Sequence, residues 1–127
     1  MVTILNNSQK QRYARHTALA EVGVQGQEKL LASRVLIVGA GGLGSPVLLY
    51  LAAAGVGTIG VIDFDKVELS NLQRQIIHRE EGVGTAKAMS AREAISELNP
   101  EVNVETYRMR LTSSNASDLI NNFDLVV

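Results

Sequence analysis

The sequence predicts an α/β domain, a parallel sheet with flanking helices, on three observations. Val35–Leu36–Ile37–Val38 is a short apolar run rich in β-branched residues and stopped by glycine, as a buried parallel strand requires. A glycine-rich turn over 39–44 follows it and opens an apolar helix. Strand-like and helix-like segments then alternate to the end of the chain, an order that puts helices on the faces of a parallel sheet.

Residues 1–33 read as a helical arm and residues 34–127 as the Rossmann-like domain that carries the sheet. Residues 8–21 are polar with scattered apolar positions (Tyr13, Leu19) and predict a helix. Gly23 and Gly26 punctuate the arm, and Gln27–Ala32 reads as a second short helix. After the glycine turn, Ser45–Ala54 predicts a helix with Pro46 in its first turn, where the missing N–H costs nothing. Gly55 and Gly57 close it. Thr58–Ile62 is the second strand and ends at Asp63. Residues 64–83 show no period, and so long an irregular stretch inside a compact domain is usually functional. Thr85–Leu98 predicts a helix with Ala88, Ala91, Ala94, Ile95 and Leu98 on one side. Asn99–Pro100 ends it. Val102–Tyr107 alternates as a third strand, Asn115–Asn121 reads as a short helix with capping-box spacing between Asn115 and Asp118, and Phe123–Val127 begins a fourth strand.

Composition narrows the function. The chain has 127 residues, 46% apolar and 20% charged, which suits one globular domain at most. A formal net charge of −1 without a block of Lys or Arg gives no footprint for nucleic acid or membrane. With no cysteine there is no disulfide, thiolate zinc site or Cys nucleophile in this chain. Polar residues from Asn6 to Gln11 interrupt any signal-peptide core, and the apolar stretch near Val47–Val56 is too short to span a bilayer. A cytoplasmic location is the expectation.

The chemistry gathers around the glycine turn. Gly39, Gly41 and Gly44 keep G-x-G-x-x-G spacing within Gly39–Ala40–Gly41–Gly42–Leu43–Gly44. With a strand before, a helix after and an acid at the end of the next strand, this is a Rossmann-like phosphate turn: backbone N–H groups can approach an anion at the positive end of a helix. Asp63 ends the second strand, where a carboxylate can accept from ribose hydroxyls, and Asp65 lies two residues on. Arg74 sits in the irregular stretch. Lys87 falls in the first turn of the next helix, a position the helix dipole disfavours for a cation. Two extra cations beside a phosphate turn suit a triphosphate better than a bridging diphosphate. His16 and His78 have no visible acid–base partner and read as structural or solvated.

Taken together these residues resemble one family. Arg12–Tyr13–Ala14–Arg15–His16, Arg34–Gly44, Ala54–Gly55–Val56–Gly57, Asp63–Phe64–Asp65, Ser70–Asn71–Leu72–Gln73–Arg74–Gln75 and Val83–Gly84–Thr85–Ala86–Lys87 are similar to the N-terminal part of the ThiF/MoeB/HesA adenylyltransferases, bacterial relatives of ubiquitin-activating enzymes. The resemblance covers nearly the whole chain. It implies that Gly39, Gly41, Gly42 and Gly44 hold ATP, that Asp63 with Asp65 serves the ribose side, and that Asn71, Arg74 and Lys87 face the phosphates. It implies that Arg15 reaches the nucleotide of a neighbouring subunit in a homodimer. The implied reaction joins AMP to the C-terminal glycine carboxylate of a small ubiquitin-like sulfur-carrier protein and releases pyrophosphate, with Mg²⁺ on the ATP.

The family pattern places the magnesium carboxylate just past the fourth strand, beyond Val127. The fold and the active site are therefore expected to be incomplete at the C-terminus, with this chain the ATP-binding half and not by itself sufficient for catalysis. Two other readings stand beside this one: a dinucleotide (NAD)-binding half-domain, favoured by the glycine turn and Asp63, and a non-catalytic truncated remnant.

Overall fold

The computed structural model describes residues 4–127; the first three residues of the expected arm lie outside that range. Four parallel strands form the sheet: β1 (Arg34–Val38), β2 (Thr58–Ile62), β3 (Asn103–Tyr107) and β4 (Leu125–Val126), in the order β3-β2-β1-β4. The helices are α1 (Asn7–Arg12), α2 (Ala14–Thr17), α3 (Gly23–Ala32), α4 (Gly44–Ala54), α5 (Lys87–Leu98) and α6 (Ala116–Ile120). Short 3₁₀ turns at Leu69–Asn71 and Glu80–Gly82 punctuate the irregular stretch between β2 and α5.

Strand alternation assigns each face of the sheet. Val35 and Ile37 of β1 and Ile59 and Val61 of β2 face Leu48 and Ala52 of α4 and Ala88, Ala91 and Ile95 of α5, forming the main core. Leu36 and Ile62 face the other way, onto Leu119 of α6 and Phe123. Layers on both faces make the sheet read as continuous apolar runs. The small residues on α5 let it lie close to α4. Leu98, predicted for the same face, is 42% exposed, because the chain leaves the helix there and turns at Asn99.

The arm departs most from expectation. The predicted helix over 8–21 is broken at Tyr13, whose φ of −104° and ψ of 17° end α1. The cause is tertiary: Tyr13 is 2% exposed and inserts into the domain, where Asn99 Nδ2 donates to its hydroxyl at 2.9 Å. Asn99 also donates to the Ala52 carbonyl at 2.9 Å, and Gln27 Nε2 donates to the Ala54 carbonyl, also at 2.9 Å. Side chains from other elements thus satisfy the Ala54 carbonyl and share the Ala52 carbonyl with the Gly55 N–H. Gly55 follows with φ +91°, and a Cβ there would come within 2.6 Å of the Tyr13 ring, so glycine is required twice over. His16 belongs to this network through Nδ1, which donates to Gln27 Oε1 at 2.8 Å. That makes it structural, as the sequence suggested.

Two smaller differences have local causes. α3 begins at Gly23 and runs through Gly26 rather than starting at Gln27. At α6, Asn115 forms no capping box. Its Oδ1 accepts instead from the Thr112 N–H at 2.8 Å, folding the preceding loop. A capping box does occur at α1, between Asn6 and Gln9.

Asn99→Ala is expected to cost about 1–2 kcal/mol in denaturant unfolding, because it leaves the buried Tyr13 hydroxyl without its donor and the Ala52 carbonyl with the Gly55 N–H alone. Stability equal to the unsubstituted protein would show that the arm is not fastened there.

Candidate nucleotide site

The site lies at the C-terminal ends of the strands, where open parallel sheets place their ligands. β1 delivers the chain into the glycine turn, and β2 delivers Asp63 beside it. Gly39 adopts φ +100° and its N–H donates to the Ile62 carbonyl at 2.8 Å, tying the turn to the end of β2. Gly44 passes so near Gly39 that a Cβ on it would lie 1.9 Å from the Gly39 carbonyl oxygen. The turn closes only with glycine there.

Ala40, fully buried, is held at both its polar atoms. Asp63 Oδ2 accepts from its N–H at 2.9 Å, and His78 Nε2 donates to its carbonyl at 2.7 Å. Beyond it, the N–H groups of Gly41, Gly42 and Leu43 donate to no protein acceptor among the described residues. These free donors stand at the first turn of the 11-residue helix α4. They can receive an anion.

The segment after β2 is stitched to the start of α5. Asp63 Oδ1 accepts from the Asp65 N–H, the Asp65 carbonyl accepts from the Lys87 N–H at 2.9 Å, and Lys66 bridges to Ala86. The stitching carries Lys87 from a distant part of the sequence to the site. Lys87 is 7% exposed, and its ammonium has no hydrogen-bond or ion-pair partner among the described residues. The stem is buried while the ammonium keeps contact with solvent, so Lys87 presents a placed cation at the site.

The other expected residues are distributed unevenly. Arg74 is exposed, with its stem 3.9 Å from where a Gly42 Cβ would stand and its Nη1 donating to the Ser70 carbonyl at 3.2 Å. Asn71 is buried, and its Oδ1 accepts from the Glu68 N–H at 2.8 Å, so its carbonyl serves the loop and only its amide N–H groups remain free. Asp65 is exposed. Arg15 lies on α2, exposed, with no hydrogen bond or ion pair among the described residues, and α2 packs on α3 rather than at the glycine turn.

Two features went unread in the sequence. One is a cavity of about 230 Å³ beside Asp63, lined by Val38, Ile62, Phe64, Met109 and Leu111, with the Arg110 guanidinium 3.7 Å from the centre of the Phe64 ring. Its sequence signal was positional, since residues just past β3 must join those past β1 and β2 at the same edge. The other is the pair of contacts made by His78, a residue read in the sequence only as structural or solvated and 6% exposed here. Burial lowers its pKa from the ordinary value of 6.5; the Ala40 carbonyl acts in the opposite direction, the charge of Lys87 lowers it further and Asp63 raises it. Its neutral ring donates at Nε2 and accepts at Nδ1 from Ser90 Oγ, 2.7 Å away. Among the described residues no three His, Cys, Asp or Glu side chains cluster as a metal cage. No helix of the described residues is long and apolar enough to cross a membrane.

A family model described as the ThiF family matches residues 13–127. The chain belongs to the ThiF family. Relatives of this family include MoeZ of Mycobacterium tuberculosis (strain H37Rv), described as a probable adenylyltransferase/sulfurtransferase. It is 53% identical over 123 residues, which make up 97% of this chain and 31% of MoeZ. The sulfur carrier protein adenylyltransferase of Thermus thermophilus is 53% identical over 116 residues, 91% of this chain and 43% of that protein. The chain therefore spans less than half the length of these curated relatives. Among solved structures, the E. coli tRNA N6-threonylcarbamoyladenosine dehydratase TcdA in complex with ATP superposes with a TM-score of 0.90 at 30% identity, over 98% of this chain and 51% of that one. Its complex with AMP gives the same score and identity. ThiF-family membership and this likeness bear out the Rossmann-like fold and the resemblance read from the sequence.

Proposed function

We propose that this chain supplies the ATP-binding half of an enzyme that adenylates the C-terminal carboxylate of a small ubiquitin-like sulfur-carrier protein. Lys87 carries the reading: an ammonium on a buried stem, without a protein partner among the described residues and beside a turn with free N–H donors, suits an anion of high charge. A dinucleotide's diphosphate, which a glycine turn serves without added cations, gives Lys87 and Arg74 no purpose. MoeZ, a probable adenylyltransferase/sulfurtransferase, and the Thermus thermophilus sulfur carrier protein adenylyltransferase, each 53% identical, support the reaction, and the second supports the kind of partner.

In this reading the N–H groups of Gly41, Gly42 and Leu43 hold phosphate oxygens, with Gly39 and Gly44 shaping the turn. Lys87, Arg74 and the Asn71 amide face the β- and γ-phosphates. Asp63 receives the ribose hydroxyls, with Asp65 at the same rim, and the base enters the cavity beside Phe64. A carboxylate oxygen of the carrier attacks the α-phosphorus, a P–O bond forms, and the bond to the bridging oxygen breaks. Pyrophosphate leaves with the electron pair, and Lys87 and Arg74 hold the charge that collects on it. Magnesium comes with the triphosphate, and no residue of this chain is assigned to it. The arm, residues 1–33, carries Arg15 to the nucleotide of the second subunit in a homodimer, in the cytoplasm.

Thermal melting tests the nucleotide class: ATP should raise the melting temperature and NAD should not. Protection by NAD alone would replace this reading with the dinucleotide one. Asp63→Ala should weaken ATP binding roughly ten- to hundredfold, the value of a charge-assisted hydrogen bond of about 1.5–3 kcal/mol. Unchanged affinity in a calorimetric titration would remove Asp63 from the ribose.

A further inference from the structure

His78 lies on the irregular segment between β2 and α5, yet it touches two parts of the site that the sequence keeps far apart. Nε2 donates to the Ala40 carbonyl in the middle of the glycine turn, and Nδ1 lies 2.7 Å from Ser90 Oγ, one helical turn after Lys87 on α5. A carbonyl oxygen can only accept, so Nε2 carries the hydrogen. In the neutral ring, Nδ1 then accepts from the Ser90 hydroxyl. The Ala40 carbonyl therefore fixes the tautomer, and the Ser90 hydroxyl, able to donate or accept, holds the ring from its other nitrogen.

The peptide that His78 grips is the one through which the turn is aimed. Ala40 has its N–H on Asp63 and its carbonyl on His78, so the plane of this residue's backbone is fixed from two sides. The next three N–H groups, those of Gly41, Gly42 and Leu43, are the free donors. They follow a run of residues in which glycine leaves the backbone otherwise loose. Both hydrogen bonds of His78 are buried, where they are stronger and more directional than at a surface.

We infer that His78 is a positioning residue for phosphate binding. Fixed by Ser90, it locks the Ala40 carbonyl and so preorganises the amides of the glycine turn, and it couples that turn to the helix that carries Lys87. The inference rests on the proposed ATP site, deepens it, and makes a distinction the fold alone does not. The ribose and base are received by Asp63 and the apolar cavity, which His78 does not touch. Losing His78 should therefore weaken binding of the phosphates and spare that of the nucleoside.

The test compares ATP with adenosine by titration calorimetry on the full chain, alongside thermal melts. His78→Phe keeps a ring of similar size and removes both hydrogen bonds. It should lower ATP affinity roughly tenfold or more and leave adenosine affinity within about twofold, the loss of a buried oriented contact acting on phosphate alone. His78→Gln places a side-chain N–H where Nε2 stands and should restore ATP affinity to within about threefold. Ser90→Ala keeps the imidazole and removes the second hydrogen bond that holds its orientation; the same selective loss should appear, at about threefold. ATP affinity unchanged in His78→Phe overturns the proposal, as does an equal loss of ATP and adenosine, or an absence of rescue by His78→Gln. Should His78→Phe fail to fold, Ser90→Ala decides by the same criteria. An unsubstituted protein that binds no ATP would sink the proposed function and this inference together, whereas ATP binding indifferent to His78 sinks the inference alone.

Discussion

Gly44→Ala is expected to abolish measurable ATP binding and to destabilise the fold by about 3 kcal/mol or more, at the upper end of what overpacking costs. The added Cβ would stand 1.9 Å from the Gly39 carbonyl oxygen and 2.9 Å from its carbon. Both obstacles are backbone, so no side-chain rotation relieves the clash. The turn would have to open, taking with it the N–H groups of Gly41, Gly42 and Leu43 and the pairing of Gly39 with the end of β2. Gly42→Ala is the internal control: its Cβ would meet only the Arg74 stem, at 3.9 Å, an ordinary contact. Denaturant unfolding and calorimetry on the pair check this. Equal behaviour of the two variants would show that the close approach of Gly44 to Gly39 does not govern the turn.

Lys87→Met should separate stability from function. Among the described residues nothing pairs with the ammonium, so replacing the buried stem by Met should leave the melting temperature of the free protein little changed. ATP affinity should fall roughly tenfold to a hundredfold, since hydrogen bonds to charged groups are worth about 1.5–3 kcal/mol. AMP, which lacks the outer phosphates, should lose much less. A variant that is destabilised while binding ATP normally would make Lys87 a structural residue and leave the triphosphate reading without its main support.

The parts of the fold that were legible in the sequence are those with local causes. Val35–Val38 and Thr58–Ile62 declare themselves as buried strands because both faces are covered, and the glycines past Val38 say where the chain must turn sharply. Ala88, Ala91 and Ile95 mark their helix face by spacing. What was not legible has distant causes. Tyr13 breaks a helix because its ring belongs under Gly55 and its hydroxyl next to Asn99, 86 residues away. Asn115 fits a capping pattern, yet Thr112 takes its carbonyl. In the site, Lys87 could be read as a cation out of place at a helix start, but its burial follows from the pairing of Asp65 and Lys66 with residues 86–87, which no period announces. His78 could be read no further than structural or solvated, because its partners are a carbonyl 38 positions earlier and a hydroxyl 12 positions later.

The central claim is that these residues activate a carboxylate with ATP, and isotope exchange between pyrophosphate and ATP measures that step directly. The assay takes the protein as expressed from its own gene, with Mg·ATP and a small ubiquitin-like carrier ending in glycine from the same genome. Exchange should require the carrier, disappear when the carrier's terminal glycine is removed, and fall by about a hundredfold or more in Lys87→Ala, the usual cost of deleting one group that stabilises developing charge. A protein that binds ATP but exchanges no pyrophosphate with any such carrier, or whose exchange is indifferent to Lys87, would contradict the account.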